Sequence, residues 1–311
     1  MRRRNVHGDS DHAAAHSFFN FGFVVIVAVK RQFVVIVAVK RQFVVIVAIK
    51  LQFVVIVAIK RQFIVIVVIK PPAFSCDAGG YLIQLNTLYR LDLETGVMTT
   101  VNEAVGDEDG INAIGYNVLD NYIWGVQELP SDEWQLIRID SDGNGLAFDL
   151  VVPAADGYQA GDVDLDGQLW LWSADNSWLQ IDLDPTSATY LQLVDSGTST
   201  LAVTGIVSDW VALADDTEYL YSVQEISTTN SSLVRWSKTT HDWSVVSILG
   251  NVDGRQVWGA LYPVGDHFYG SENNVGDIYS FYTNGSTPTF VTEGPTSGSN
   301  DGARCALAPA P

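Results

Sequence analysis

Asp162-Val-Asp164-Leu-Asp166-Gly167 sets three carboxylates at alternate positions ahead of a glycine. That is how a calcium loop opens, because a hard cation gathers several oxygens around one tight turn. A complete loop ends in a bidentate glutamate at its twelfth position, where this chain has Ser173. Asp140-Ser-Asp142-Gly-Asn144-Gly145 opens in a similar way and carries Val151 at that position. Both are half-motifs, and each also reads as a hydrated hairpin turn. Asp162, Asp164 and Asp166 are the candidate metal ligands, with calcium as the candidate ion.

Other chemistry finds less support. His241 and His267 are the only histidines after Pro71, and His241 falls in an expected surface turn. No serine sits in a Gly-x-Ser-x-Gly elbow, and no Gly-rich stretch reads as a phosphate or dinucleotide loop. Carboxylate pairs for glycoside chemistry are too numerous to choose among, since that mechanism depends on their separation in space. Nine tryptophans could form a carbohydrate-stacking surface, but most fall at alternate strand positions, which suits packing between sheets.

Charge divides the chain. Residues 1–70 carry eleven Lys and Arg against Asp9 and Asp11, whereas the remaining 241 residues hold six basic and 34 acidic side chains. A domain with a net charge of −28 repels polyphosphate, which excludes nucleic acid as a partner. Two cysteines, Cys76 and Cys305, bracket the acidic part. Asn230-Ser-Ser232 and Asn284-Gly-Ser286 are glycosylation sequons. Together they point to an oxidising environment, with the protein secreted or at the cell surface.

The elements that would hold these groups come in two kinds. After a basic and polar stretch (1–22), residues 23–70 repeat F-V-V-I-V-A-V-K-R-Q with a period of ten until Pro71-Pro72 ends the array. A basic residue returns within every repeat, so no apolar tract is long enough for a simple transmembrane helix. The β-branched runs suit short strands. Three readings stay open: a translated tandem repeat or gene-model error, a disrupted secretory signal, and a membrane-associated or peptide-releasing segment. Any membrane association would come through residues 1–70.

Residues 71–311 repeat on a longer scale. Leu88-Tyr-Arg-Leu-Asp92, Leu136-Ile-Arg-Ile-Asp140 and Trp178-Leu-Gln-Ile-Asp182 are followed by weaker copies, Leu233–Ser237 and Ile278–Tyr282. Turn chemistry follows each copy, and then a further strand such as Thr189–Leu193 or Trp243–Ser247. A glycine in an apolar stretch recurs 20 to 23 residues beyond each copy's last residue, at Gly115, Gly161, Gly205, Gly259 and Gly302. A third strand separates each glycine from the next copy. Four strands in each of five repeats predict an all-β fold, a five-bladed β-propeller of four-stranded antiparallel blades, with the glycine-bearing strands innermost. A two-sheet sandwich is the alternative. In this register Gly302-Ala-Arg-Cys305 supplies the inner strand of the blade that begins after Cys76, so a Cys76–Cys305 disulfide would lock the ring; two free thiols is the alternative.

Pro72-Ala-Phe-Ser-Cys-Asp77, Leu88–Gly96, Ile111–Asn117 and Ala160–Gly167 resemble an uncharacterised family of secreted propeller-like domains from filamentous fungi and some bacteria. The resemblance covers about residues 72–308. It implies secretion and an ordinary signal peptide, from which the decapeptide array departs, and it supplies no activity or catalytic residues. The expected function is that of a monomeric, extracellular, non-catalytic propeller with a binding or structural role, its partner a carbohydrate or a protein surface. The alternative is a metal-dependent hydrolase or lactonase, with Asp162, Asp164 and Asp209 converging at the axial mouth.

Overall fold

The computed structural model describes residues 70–106, 110–131, 133–153, 157–200 and 205–311, together with the backbone of six strands between His12 and Val68. The chain divides into two units, Met1–Pro71 and Pro72–Pro311. In the first, His12–Phe19 and the five strands of the decapeptide array, from Gly22–Val29 to Gln62–Val68, pair with their sequence neighbours as an antiparallel meander.

The second unit is a five-bladed β-propeller. Blade 1 runs from the axis outward through Ile111–Asn117, Tyr122–Glu128, Trp134–Ile139 and Gly145–Val152. Blade 2 follows with Tyr158–Val163, Gln168–Ser173, Ser177–Asp182 and Gln192–Thr198. In blade 3 the inner strand is broken into Ile206–Val207 and Val211–Ala212, ahead of Tyr219–Ser227, Asn230–Ser237 and Trp243–Gly250. Blade 4 comprises Trp258–Val264, His267–Glu272, Ile278–Tyr282 and Thr289–Thr292. Blade 5 joins the two ends of the unit: Asn300–Ala303 pairs with Gly80–Gln84, followed by Thr87–Leu91 and Met98–Asn102. The sandwich alternative is thereby excluded.

No single core lies at the centre. Five apolar clusters occupy the five joints between neighbouring blades. This layout follows from strand position: Gln168–Ser173 has a sheet on either side and is almost wholly buried, whereas the outer strand Gln192–Thr198 is largely exposed. All nine tryptophans are buried at these joints. Six of them, Trp170, Trp172, Trp178, Trp210, Trp236 and Trp243, fill the joint between blades 2 and 3. They are packing residues and do not form a surface for stacking sugars.

Two local expectations need correction. The outer strand of blade 2 starts at Gln192, later than the Thr189–Leu193 stretch suggested. Asp182 explains the delay, because its carboxylate accepts hydrogen bonds from Asp184 N, Gln168 Nε2 and Thr189 Oγ1, which hold residues 184–191 in a turn. Gly205 also precedes the inner strand and abuts its own blade, where a Cβ would meet Glu225 O at 1.9 Å. Gly115, Gly161 and Gly302 face a neighbouring blade, whereas Gly259 meets Asn273 of its own blade as well as Asn300 of blade 5.

Ring closure gathers several contacts. Cys76 and Cys305 form a disulfide with their Cα atoms 5.3 Å apart. Beside it the buried Arg304 guanidinium donates to the carbonyls of Ala78, Pro263 and Pro309, tying the start of the domain, blade 4 and the C-terminal tail together. Phe74 packs edge-on against Tyr81 at 4.6 Å. The disulfide closes a loop of 229 residues, for which chain entropy gives at most about 5 kcal/mol. Replacing both cysteines by alanine is expected to lower stability towards that bound while leaving a folded propeller, as measured by urea unfolding followed by tryptophan fluorescence.

Candidate functional site

The candidate metal ligands end on different tasks. Asp164 closes the turn after the inner strand of blade 2: its Oδ1 accepts from Asp166 N and Gln168 N, each at 3.0 Å. Its Oδ2 accepts from Trp170 Nε1 at 2.9 Å and pairs with Lys238 Nζ of blade 3 at 2.8 Å. Asp166 is exposed, and Gly167 takes the positive φ (74°) that the turn requires. Asp140-Ser-Asp142-Gly143-Asn144 builds the same turn, with Asp140 Oδ1 accepting from Asp142 N and Asn144 N and with Gly143 at φ 77°. Among the described residues, no three acidic, histidine or cysteine side chains are grouped so as to hold a metal ion.

Asp162 points to the axis, where sequence reasoning had placed only part of what is there. Its Oδ1 accepts from Val163 N and its Oδ2 from Ala212 N in blade 3, both at 2.8 Å. Asp209 does the same one blade on, accepting from Trp210 N at 2.7 Å and from Leu261 N of blade 4 at 2.6 Å. Asp301, not anticipated as a site residue, accepts from Gly302 N at 2.6 Å and from Ile114 N of blade 1 at 3.0 Å. Each carboxylate therefore caps its own strand and staples it to the next blade, at the joints 2–3, 3–4 and 5–1. The expected convergence included Asp164; Asp301 takes that place, because Asp164 is held in the turn by Trp170 and Lys238.

The two remaining joints are closed by missing side chains. A Cβ on Gly161 would meet Ala113 O at 2.4 Å, and one on Gly115 would meet Val163 N at 2.3 Å, so the inner strands of blades 1 and 2 touch through their backbones. Between blades 4 and 5 a Cβ on Gly302 would press on Leu261 N and O at 3.0 Å. The signal for the staples was present in the sequence, since Asp162 and Asp301 each adjoin a landmark glycine.

Burial dominates the electrostatics here. It raises the pKa of Asp162, Asp209 and Asp301 well above the usual carboxylate range. Tyr262, also fully enclosed, is raised by burial and then by the nearby charges of Asp209 and Asp301. On the face where the inner strands end, Asp164, Asp166, Asp216, Thr217, Tyr219 and Lys238, together with Leu165, Ala212 and Leu213, line a cavity of about 180 Å³. His241 sits in its turn at φ 60° and packs on Trp178 with ring centroids 3.9 Å apart. His267 Nδ1 contacts Asp266 Oδ1 at 3.0 Å.

A family profile described as a repeat of unknown function (DUF6923) matches residues 81–307, which takes in strands of all five blades. The chain belongs to the DUF6923 family. The match leaves out the decapeptide array and begins after Cys76. No curated protein matches the sequence. Among solved structures, this DUF6923 chain is similar to TolB from Acinetobacter baumannii, at 12% identity over 94% of this chain and 82% of that one, with a TM-score of 0.44. It is also similar to the periplasmic gluconolactonase PpgL of Pseudomonas aeruginosa, at 14% identity over 70% and 69% of the two chains, with a TM-score of 0.42. Neither likeness bears on what the DUF6923 chain binds or does.

The staple role and the calcium role of the Asp162 segment predict different losses. Asp162→Ala leaves the Val163 and Ala212 amides without their acceptor and is expected to cost about 2–4 kcal/mol in chemical denaturation. Asp166→Ala, at an exposed turn position, is expected to change stability by less than about 0.5 kcal/mol.

Proposed function

We propose that this DUF6923 propeller works outside the cell without catalysis, binding a carbohydrate or protein surface or building into an extracellular structure. What supports this reading over the hydrolase or lactonase is the use made of the axial carboxylates. Asp162, Asp209 and Asp301 are buried, and every one of their oxygens already accepts a backbone N–H that holds two blades together or caps a strand. A carboxylate committed in this way is poorly placed to act as base or ligand for an entering substrate. The disulfide supports the extracellular setting, and no helix among the described residues is long and apolar enough to cross a membrane.

Calorimetric titration of the full chain with calcium or manganese tests the choice. The expected outcome is no saturable heat at millimolar ion; a stoichiometric heat that Asp162→Asn abolishes would favour the metal hydrolase instead. A glycan array and a screen for extracellular protein ligands then address the binding reading.

Secretion carries a separate expectation. Asn284 is exposed in the turn before the outer strand of blade 4, and its Oδ1 accepts from Ser286 N and Oγ. Asn230 is half-buried at the start of a strand, with Ser231 and Ser232 buried behind it. Protein expressed through a eukaryotic secretory route is expected to carry glycan on Asn284 in preference to Asn230. Glycosidase treatment followed by peptide mass spectrometry reads the occupancy of each.

A further inference from the structure

Asp162, Asp209 and Asp301, from blades 2, 3 and 5, each reach from an inner strand to a backbone N–H of the next blade, and their charges bear on one another and on the buried Tyr262 of blade 4. Blade 1 contributes the Ile114 amide to this group. None of the three carboxyls pairs with a lysine or arginine among the described residues. Lys238 is engaged by Asp164, and Arg304 is spent on backbone carbonyls. The Tyr262 hydroxyl is buried and has no hydrogen-bond partner among the described residues. Three negative charges buried near one another repel far more strongly than they would at the surface in water. Such a cluster escapes by keeping a proton.

Leu261 N, which donates to Asp209, stands 3.0 Å from where a Cβ on Gly302 would lie, and Gly302 N donates to Asp301, so the two carboxyls share one corner of the axis although their blades are not neighbours in the ring. A hydrogen bond between them, which would raise the pKa of Asp209 and lower that of Asp301, needs a proton, because two ionised carboxylates cannot form one. We propose that the ring is closed by an acid lock: Asp209 donates a proton across the axis to Asp301, and losing that proton in alkaline medium loosens the joints between blades 3 and 4 and between blades 5 and 1. The lock is independent of what the protein binds. No bond other than the one to the proton is made or broken, and water takes the proton up.

The sign follows from linkage. Burial, the first cause for each carboxyl, and the neighbouring negative charges hold these groups above their unfolded value of about 3.9. Their contribution is fully present below that pH and is lost as the pH rises through the folded values. Carboxylates whose pKa is lowered, such as Asp92, Asp182 and Glu218, act the other way and weaken the fold only in stronger acid. Asp277, raised to about 6 by burial and by its hydrogen bond to Asp253, shares the direction of the axial group but lies on blade 4 near the surface. Comparing variants that all retain Asp277 removes its effect.

Urea unfolding of the full chain between pH 5 and pH 9 tests the lock. The folding equilibrium constant of the wild type is expected to fall as the pH rises. In Asp209→Asn, which keeps a donor towards Asp301, the fall is expected to be smaller by about tenfold or more, the equivalent of one pKa unit. Asp166→Asn is expected to retain the wild-type slope. A slope in Asp209→Asn equal to that of the wild type would overturn the proposal, whatever its basal stability. Should that variant not fold, infrared spectroscopy of the wild type at neutral pH decides: the C=O band of a buried protonated carboxyl is expected, and its absence would overturn the lock.

Discussion

The crowding of five inner strands around one axis is the constraint on which the rest of this structure depends. Strands that pair edge to edge satisfy one another's backbone groups, but the innermost strands of neighbouring blades meet at an angle and cannot form a ladder. Their inward N–H groups still need partners. The chain meets this need in two ways. Where glycines stand at the contact, as at Gly115, Gly161 and Gly302, the backbones approach until they touch. Where an aspartate stands there, its carboxylate reaches over the joint and accepts the orphan amide, as Asp162, Asp209 and Asp301 do. Both devices bring small residues to the axis and leave the bulky ones for the joints further out.

That division of labour explains the distribution of tryptophan. Blades diverge from the axis like the leaves of a fan, so the gap between them widens outward and is filled by large, flat side chains. Trp170 and Trp236 meet at 5.4 Å and Trp172 and Trp243 at 5.6 Å across the joint between blades 2 and 3. The ring closes at blade 5, where the last strand of the domain pairs with its first. Unfolding one joint exposes the apolar faces of two blades, and the Cys76–Cys305 bond and the Arg304 clamp sit beside the seam inside blade 5 where the last strand pairs with the first and the chain itself does not continue.

Much of this was legible in the sequence because it is periodic. The strand copies ending at Asp92, Asp140 and Asp182 recur with their turns, and the glycine spacing located the inner strands of blades 1, 2, 4 and 5 within a residue or two. Gly205 misled because it stands just ahead of Ile206–Val207 and packs on Glu225 of its own blade, while Asp209 reaches the axis from the break between Val207 and Val211. The site was read less well, for a chemical reason. A calcium loop and an aspartate-capped hairpin turn both want alternating carboxylates before a glycine, one to surround a cation and the other to accept amide N–H groups. The difference lies in where the remaining oxygen donors come from, and that is a matter of packing. Asp162 and Asp164 are separated by one residue, yet they point to an axis and to a turn.

The same geometry narrows where recognition can occur. An axis filled by side chains that hold the ring together leaves the two faces, built from the turns between strands, as the surfaces free to vary. Asp164, Lys238 and Asp216 around the small cavity come from turns of blades 2 and 3, whose copies elsewhere carry other residues. A propeller of this construction can change its ligand by changing turns while its axial acids and glycines stay fixed. Repetition therefore makes the fold plain in a single sequence, while the turns that do not repeat are where the proposed binding would be encoded.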